Sequence, residues 1–153
     1  MNYYDEIKNK LIDNEIYLKV KDYSKERHRV ITYFEIGKLL LDAGSKYGES
    51  IIEKYSQKLM LEVGRKYNKR TLFRMRQFYI AFSDDKKVST MSTQLTWSHY
   101  SELLSIKDKN KLQYYLNICM QQKLDVRSLR IKIKSEEYER LDKNTKNKWY
   151  HSI

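Results

Sequence analysis

Between Arg65 and Arg76 the chain carries six basic residues (Arg65, Lys66, Lys69, Arg70, Arg74 and Arg76) and not one Asp or Glu. Guanidinium groups donate to base edges and phosphates, and ammonium groups hold phosphates as point charges, so this stretch suits a polyanion. Helical periodicity divides it into two faces. Leu72, Met75, Phe78, Tyr79 and Phe82 recur at helical spacing and predict an inward stripe. Arg70, Phe73, Gln77 and Ala81 project to the opposite side, flanked by Lys69, Arg74 and Arg76. A recognition helix needs such an outer face. Arg70, Phe73, Arg74 and Gln77 are the expected base contacts, with Phe73 placed against a thymine methyl, a neighbouring helix or a subunit. Arg65, Lys66, Lys69 and Arg76 are expected on phosphates.

A second basic cluster, Arg127, Arg130, Lys132 and Lys134, also has no acidic residue among its members. It holds no Asn or Gln for bidentate base reading, so Arg127 and Arg130 are assigned to backbone phosphates. Lys143, Lys146 and Lys148, with Trp149 and Tyr150, form a weaker basic and aromatic tail. Catalytic and metal chemistry finds no constellation. His28, His99 and His151 lack ligand-spaced Cys or carboxylate partners, so no zinc site is expected. Ser98 and His99 are adjacent and point about 100° apart on a helix, which favours a polar cap over a nucleophile and base. Cys119, among Tyr115, Leu116 and Met120, reads as a buried thiol. Glu136 and Glu137 read as a helix start, where the macrodipole favours carboxylates. No Gly-rich phosphate loop is present. The expectation is a protein that is not an enzyme and needs no cofactor.

The elements that must position these residues are helical almost throughout. Periodicity predicts helices over Asn2–Asp13, with Ile7, Leu11 and Ile12 inward, and over Ile16–Ala43, with Val30, Tyr33, Phe34, Gly37, Leu40 and Leu41 as its later stripe. Gly37 inside that stripe costs about 1 kcal/mol relative to Ala, which marks a close helix–helix approach. The stretch Ala43 to Gly48, with two glycines able to take left-handed backbone, is expected to break the helix. A third helix follows over Glu49–Val63, carrying Ile52, Tyr55, Leu59 and Val63 inward and ending at Gly64. A fourth covers Lys69–Phe82, and the pair makes a helix-turn-helix candidate. After a polar loop over Ser83–Lys87, helices are expected over Trp97–Ile106, Lys109–Gln122, Asp125–Lys134 and Glu136–Leu141. Asp125 should serve as an N-cap, accepting from the amide of Arg127 or Ser128.

Composition supports this architecture. No Pro and only four Gly in 153 residues argue against a turn-rich β-sandwich or barrel. One Cys excludes a disulfide framework and fits a reducing, cytoplasmic setting. No apolar run reaches the ~20 residues that cross a bilayer, so no membrane partner is expected. The net charge of +11 is unevenly spread. Residues 1–64 hold 11 basic and 11 acidic residues, whereas residues 65–153 hold 20 and 9. An AT-rich coding bias would scatter lysine evenly and would not concentrate arginine. A localised basic excess points to a nucleic acid, because phosphate contacts release condensed counterions. The chain is therefore divided into neutral packing or dimerisation helices (1–64), a basic part of the same domain (65–141) and a polar tail (142–153).

From Tyr33 to Leu141 the sequence resembles the N-terminal domain of the YhcG-like nuclease family, whose C-terminal half is a predicted PD-(D/E)XK nuclease. The matching segments are Phe34-Glu35-Ile36-Gly37, Lys46-Tyr47-Gly48 and Thr71-Leu72-Phe73-Arg74-Met75-Arg76-Gln77-Phe78-Tyr79. They continue with Leu95 to Leu104, Asp125-Val126-Arg127-Ser128-Leu129 and Glu137-Tyr138-Glu139-Arg140-Leu141. The downstream residues hold no Asp followed by a Glu-x-Lys or Asp-x-Lys pair, so nuclease activity is not carried over. The order of helix pair, Ser-His segment and Val-Arg-Ser-Leu is also similar to the DNA-binding region of ParB-type partition proteins, which implies that the helix over Lys69–Phe82 enters the major groove. Together these readings predict an all-α bundle with a long N-terminal helix and an embedded helix-turn-helix. The expected function is that of a prokaryotic, cytoplasmic module that binds double-stranded DNA beside a nuclease domain or subunit. A docking or dimerisation module and an RNA-binding module are the alternatives.

Overall fold

The computed structural model describes residues 2–19, 25–83 and 95–141. Among them are seven helices and no strand: α1 (Tyr3–Leu18), α2 (Lys25–Tyr47), α3 (Ser50–Glu62), α4 (Lys69–Phe82), α5 (Trp97–Leu103), α6 (Lys109–Gln122) and α7 (Val126–Lys134). The chain is all-α, as its periodicity predicts. It divides into two compact units, 1–93 and 94–153. The change from neutral to basic sequence at Gly64 thus falls inside the first unit, at the corner between α3 and α4.

In the first unit α2 packs against α1, α3 and α4. Being surrounded explains why it buries Thr32, Ile36, Leu39 and Ala43 in addition to Val30, Tyr33, Gly37 and Leu40. Phe34 and Leu41, expected on its stripe, are only half-buried. Helix α1 runs antiparallel to α2: Tyr3 meets the ring of Tyr47 edge-on, and Asn14 bonds His28. Helix α4 is also antiparallel, with Phe34 against Phe78 and Tyr79 and Gly37 against Met75. Gly37 is the close approach that its place in the stripe predicts. A Cβ there would lie 2.2 Å from the Met75 carbonyl oxygen and 2.9 Å from its carbon. Only a hydrogen at this position lets α4 seat on α2.

Several boundaries differ from expectation. Helix α1 continues through Asp13-Asn14-Glu15 to Leu18, so Ile16 and Tyr17 belong to it and not to the long helix. The polar triplet does not break it because Asn14 turns fully inward, where its Oδ1 lies 2.9 Å from His28 Nδ1. Helix α2 begins at Lys25 and does not break at Ala43; it runs past Gly44 to Tyr47. Gly48, at φ +91°, makes the reversal, and its amide bonds Gly44 O at 2.9 Å. The segment expected as a helix over Glu136–Leu141 is a run of turns. Glu136 takes a left-handed φ of +56°, so the two carboxylates do not cap a helix start. Most of the loop over Ser83–Lys87 and the tail 142–153 lie outside the described residues.

In the second unit short caps define the helices. Thr96 and His99 form a reciprocal capping box at α5: the His99 amide bonds Thr96 Oγ1 and His99 Nδ1 accepts from the Thr96 amide at 3.1 Å. His99 Nε2 lies 2.8 Å from Leu124 O and ties α5 to the α6–α7 connection. The polar-cap reading of His99 holds. Asp125 caps α7 by accepting from the Ser128 amide at 2.7 Å. Tyr115, fully buried, accepts from the Tyr138 amide at 3.2 Å and so fixes the turns that follow α7. Cys119 is buried as expected, and burial pushes its thiol up to about 11.

Candidate nucleic-acid interface

The α3–α4 corner is built from a plug, a cap and an outer face. Tyr67, in the six-residue connection, is fully buried. Its hydroxyl donates to Glu15 of α1, and its carbonyl accepts from Ser56 Oγ of α3 at 3.3 Å. Burial, then the bond to Glu15, push the Tyr67 hydroxyl far above its ordinary value, so it remains a donor. Burial opposes ionisation of Glu15, but hydrogen bonds from Lys66 and Tyr67 outweigh it and hold that carboxyl below its usual value. The Asn68 side chain then accepts from the Thr71 amide at 3.0 Å and starts α4.

Helix α4 spans the residues predicted for it. Leu72, Met75, Phe78 and Phe82 are buried, and Tyr79 is half-buried. Its first turn has no acidic residue and instead carries Lys69 and Arg70 at the positive end of the helix dipole. Cations there forgo the roughly 0.3–1 kcal/mol that a carboxylate would contribute. Helix stability does not account for that choice.

The predicted site residues separate into distinct environments. Arg65 and Arg70 are exposed and form no ion pair among the described residues. Lys66 pairs with Glu15 at 2.5 Å, Lys69 with Glu53 at 3.6 Å and Arg76 with Glu49 at 3.0 Å. Arg76 is the least accessible of these cations, its side chain 18% exposed. Phe73 is half-buried, with the Arg76 guanidinium 4.6 Å and the Lys69 ammonium 5.8 Å from its ring centre. These cation–π contacts account for an aromatic residue on a charged face. Arg74 and Gln77 are half-buried. In the second unit Arg127 is exposed, and Arg130 Nε donates to Glu102 at 2.6 Å.

Residues not singled out from the sequence shape this surface. Glu15, Glu49 and Glu53 are the carboxylates opposite the basic stretch, and nothing in their local sequence marks them. Tyr67 does carry a signal, as an aromatic residue inside a polar connection. The Lys69–Glu53 pair, with both side chains 55% exposed, contributes about 0–1 kcal/mol, so an outside anion can take the place of that carboxylate at small cost. Among the described residues no group of three or more His, Cys, Asp or Glu could hold a metal ion, and no helix is long and apolar enough to cross a membrane.

Residues 15–140 match the DUF1016 N-terminal domain. The chain belongs to this family. Neither a curated protein nor a solved structure matches it. The matched segment of this DUF1016 domain takes in the whole α3–α4 corner and all of α7, so both basic clusters lie within the family domain.

Proposed function

We propose that this DUF1016 N-terminal domain is a non-catalytic DNA-binding module of the helix-turn-helix kind, in which α3 and the Tyr67 plug present α4 to a duplex. The carrying observation is the run of six cations without a carboxylate from Arg65 to Arg76, at the amino-terminal end of a helix whose inner face is locked onto α2. Arg70, Phe73, Arg74 and Gln77 contact bases. Arg65, Lys66, Lys69 and Arg76, with Arg127 and Arg130 of the second unit, contact phosphates. The six-residue connection is longer than the usual 3–4-residue turn, which makes the corner a variant of the motif. The resemblance to YhcG-like proteins supports a targeting role beside a nuclease domain or subunit in a prokaryotic cytoplasm. The similarity to ParB-type proteins supports placing α4 in the major groove.

Fluorescence anisotropy with a labelled duplex tests the reading. Arg65→Ala and Arg70→Ala, both at exposed positions, each weaken binding; Arg65→Ala lowers the salt slope by about 1, and Arg70→Ala relaxes sequence preference. A double variant that binds like the wild type refutes it. Competition between duplex DNA and a structured RNA separates the two nucleic acids. A docking or dimerisation role is favoured by one observation: Ile80 is 54% exposed two turns beyond Phe73, on the same side of α4. Loss of self-association by Phe73→Ala in sedimentation, with duplex affinity unchanged, would select that role instead.

A further inference from the structure

Helix α7 carries apolar side chains on two sides. Leu129 is buried and Val126 and Ile133 are half-buried, whereas Ile131 is 59% exposed. One apolar stripe suffices to pack a surface helix; Ile131 lies off it. Ile131 and Ile133 line an open groove of about 390 Å³ together with Glu102, Arg127, Arg130 and Lys134. That volume falls in the range of about 300–1,000 Å³ found for pockets that hold ligands. The charge around it is one-sided. The single carboxylate, Glu102, is engaged by Arg130 at 2.6 Å. Arg127 and Lys134 form no ion pair among the described residues, and at i−4 and i+3 they flank Ile131 on one helix face.

We propose that this groove docks an acidic amphipathic segment of a partner protein, whose apolar side chain seats on Ile131 and Ile133 while its carboxylates pair with Arg127 and Lys134. Phosphate contacts alone would use the three cations and gain nothing from an isoleucine at their centre. A lipid surface needs a broad apolar face, and α7 offers only Ile131 and part of Ile133 here. A helix with carboxylates beside an apolar stripe satisfies both halves of the groove, with contact area from the isoleucines and orientation from the charges. The inference rests on the groove and not on the DNA reading. Because Arg127 and Arg130 are shared, a docked acidic segment and a duplex compete for them.

The test uses the full chain and a fluorescein-labelled helical peptide of Leu and Glu with its leucines on one face. Two controls accompany it, one with the same composition and dispersed leucines and one with Lys in place of Glu. The faced Leu/Glu peptide binds the wild type and both controls do not. Ile131→Ser weakens it about tenfold while leaving duplex binding unchanged, and Arg127→Glu abolishes it. Both positions are exposed, and an unchanged helical circular-dichroism spectrum confirms that each variant folds. The proposal is overturned if the wild type ignores the faced peptide. It is equally overturned if Ile131→Ser binds the peptide as tightly as the wild type, or lowers duplex affinity by the same factor.

Discussion

Gly37 and Gly44 lie two turns apart on the same helix, and alanine at each should move stability in opposite directions. A Cβ at Gly37 would meet the Met75 carbonyl oxygen at 2.2 Å, the Met75 carbonyl carbon at 2.9 Å and Tyr79 Cβ at 2.9 Å. The first two are backbone atoms of α4, so no side-chain rotation relieves the clash and the two helices must separate. Such overpacking costs about 3 kcal/mol, the upper part of its usual range. The alanine recovers about 1 kcal/mol of helix propensity, leaving a net loss near 2 kcal/mol. For a unit of this size that lowers Tm by roughly 10 °C. At Gly44 a Cβ would lie 3.9 Å from Arg76 Nη1 and 3.9 Å from Ile52 Cδ1, ordinary contacts. Gly44→Ala therefore keeps the propensity gain, about 0.5–1 kcal/mol. Thermal melts followed by circular dichroism read both. If Gly37→Ala melts at or above the wild-type temperature, the close packing of α4 on α2 is wrong, and with it the seating of the proposed interface.

Replacing Glu49 and Glu53 by Gln releases Arg76 and Lys69 from their carboxylates and should raise duplex affinity several-fold by anisotropy, with an added ~1 kcal/mol per pair as the ceiling; unchanged affinity would remove those two cations from the interface. Acid should destabilise the fold. Hydrogen bonds from Tyr4 and Lys8 hold Glu62 below its ordinary value, as do Tyr114 and then Lys132 for Glu137 and, against burial, Lys66 and Tyr67 for Glu15. Their stabilisation is complete above the unfolded carboxylate value of about 4.3 and is lost as pH falls through the lower folded values. Melts across that acidic range show a falling Tm, less steep in Glu15→Gln; a flat profile contradicts the linkage. Asp125→Ala removes the cap that accepts from the Ser128 amide and should cost about 1 kcal/mol in denaturant unfolding, whereas no change would show that the cap is dispensable.

How far the sequence reaches depends on whether the deciding partner is local. Helix α4 has its predicted ends because Asn68, the apolar stripe and the basic outer face all lie within a few residues, and Asp125 is recognisable as a cap for the same reason. Gly37 was readable because glycine in an apolar stripe has one physical use. Asn14 was not: a polar residue between Asp13 and Glu15 suggests a break until His28, on another helix, supplies its partner. Gly44 and Gly48 look alike in the chain, and only the backbone reversal assigns left-handed φ to Gly48. The carboxylates facing Lys66, Lys69 and Arg76 come from α1 and from the start of α3, so the basic stretch reads as unopposed in one dimension and as partly paired in three. Charge asymmetry is thus concentrated further by the fold, onto Arg65 and Arg70.

The salt dependence of duplex binding tests the proposed interface most directly. Counterion release predicts that log K falls linearly with log salt with a slope of about −0.9 per phosphate neutralised. The four cations assigned to phosphates at the α3–α4 corner, Arg65, Lys66, Lys69 and Arg76, give a slope of about −3.6 or steeper, becoming shallower by about 1 in Arg65→Ala. A slope near zero, or one that Arg65→Ala leaves untouched, would contradict a DNA-binding role for this corner.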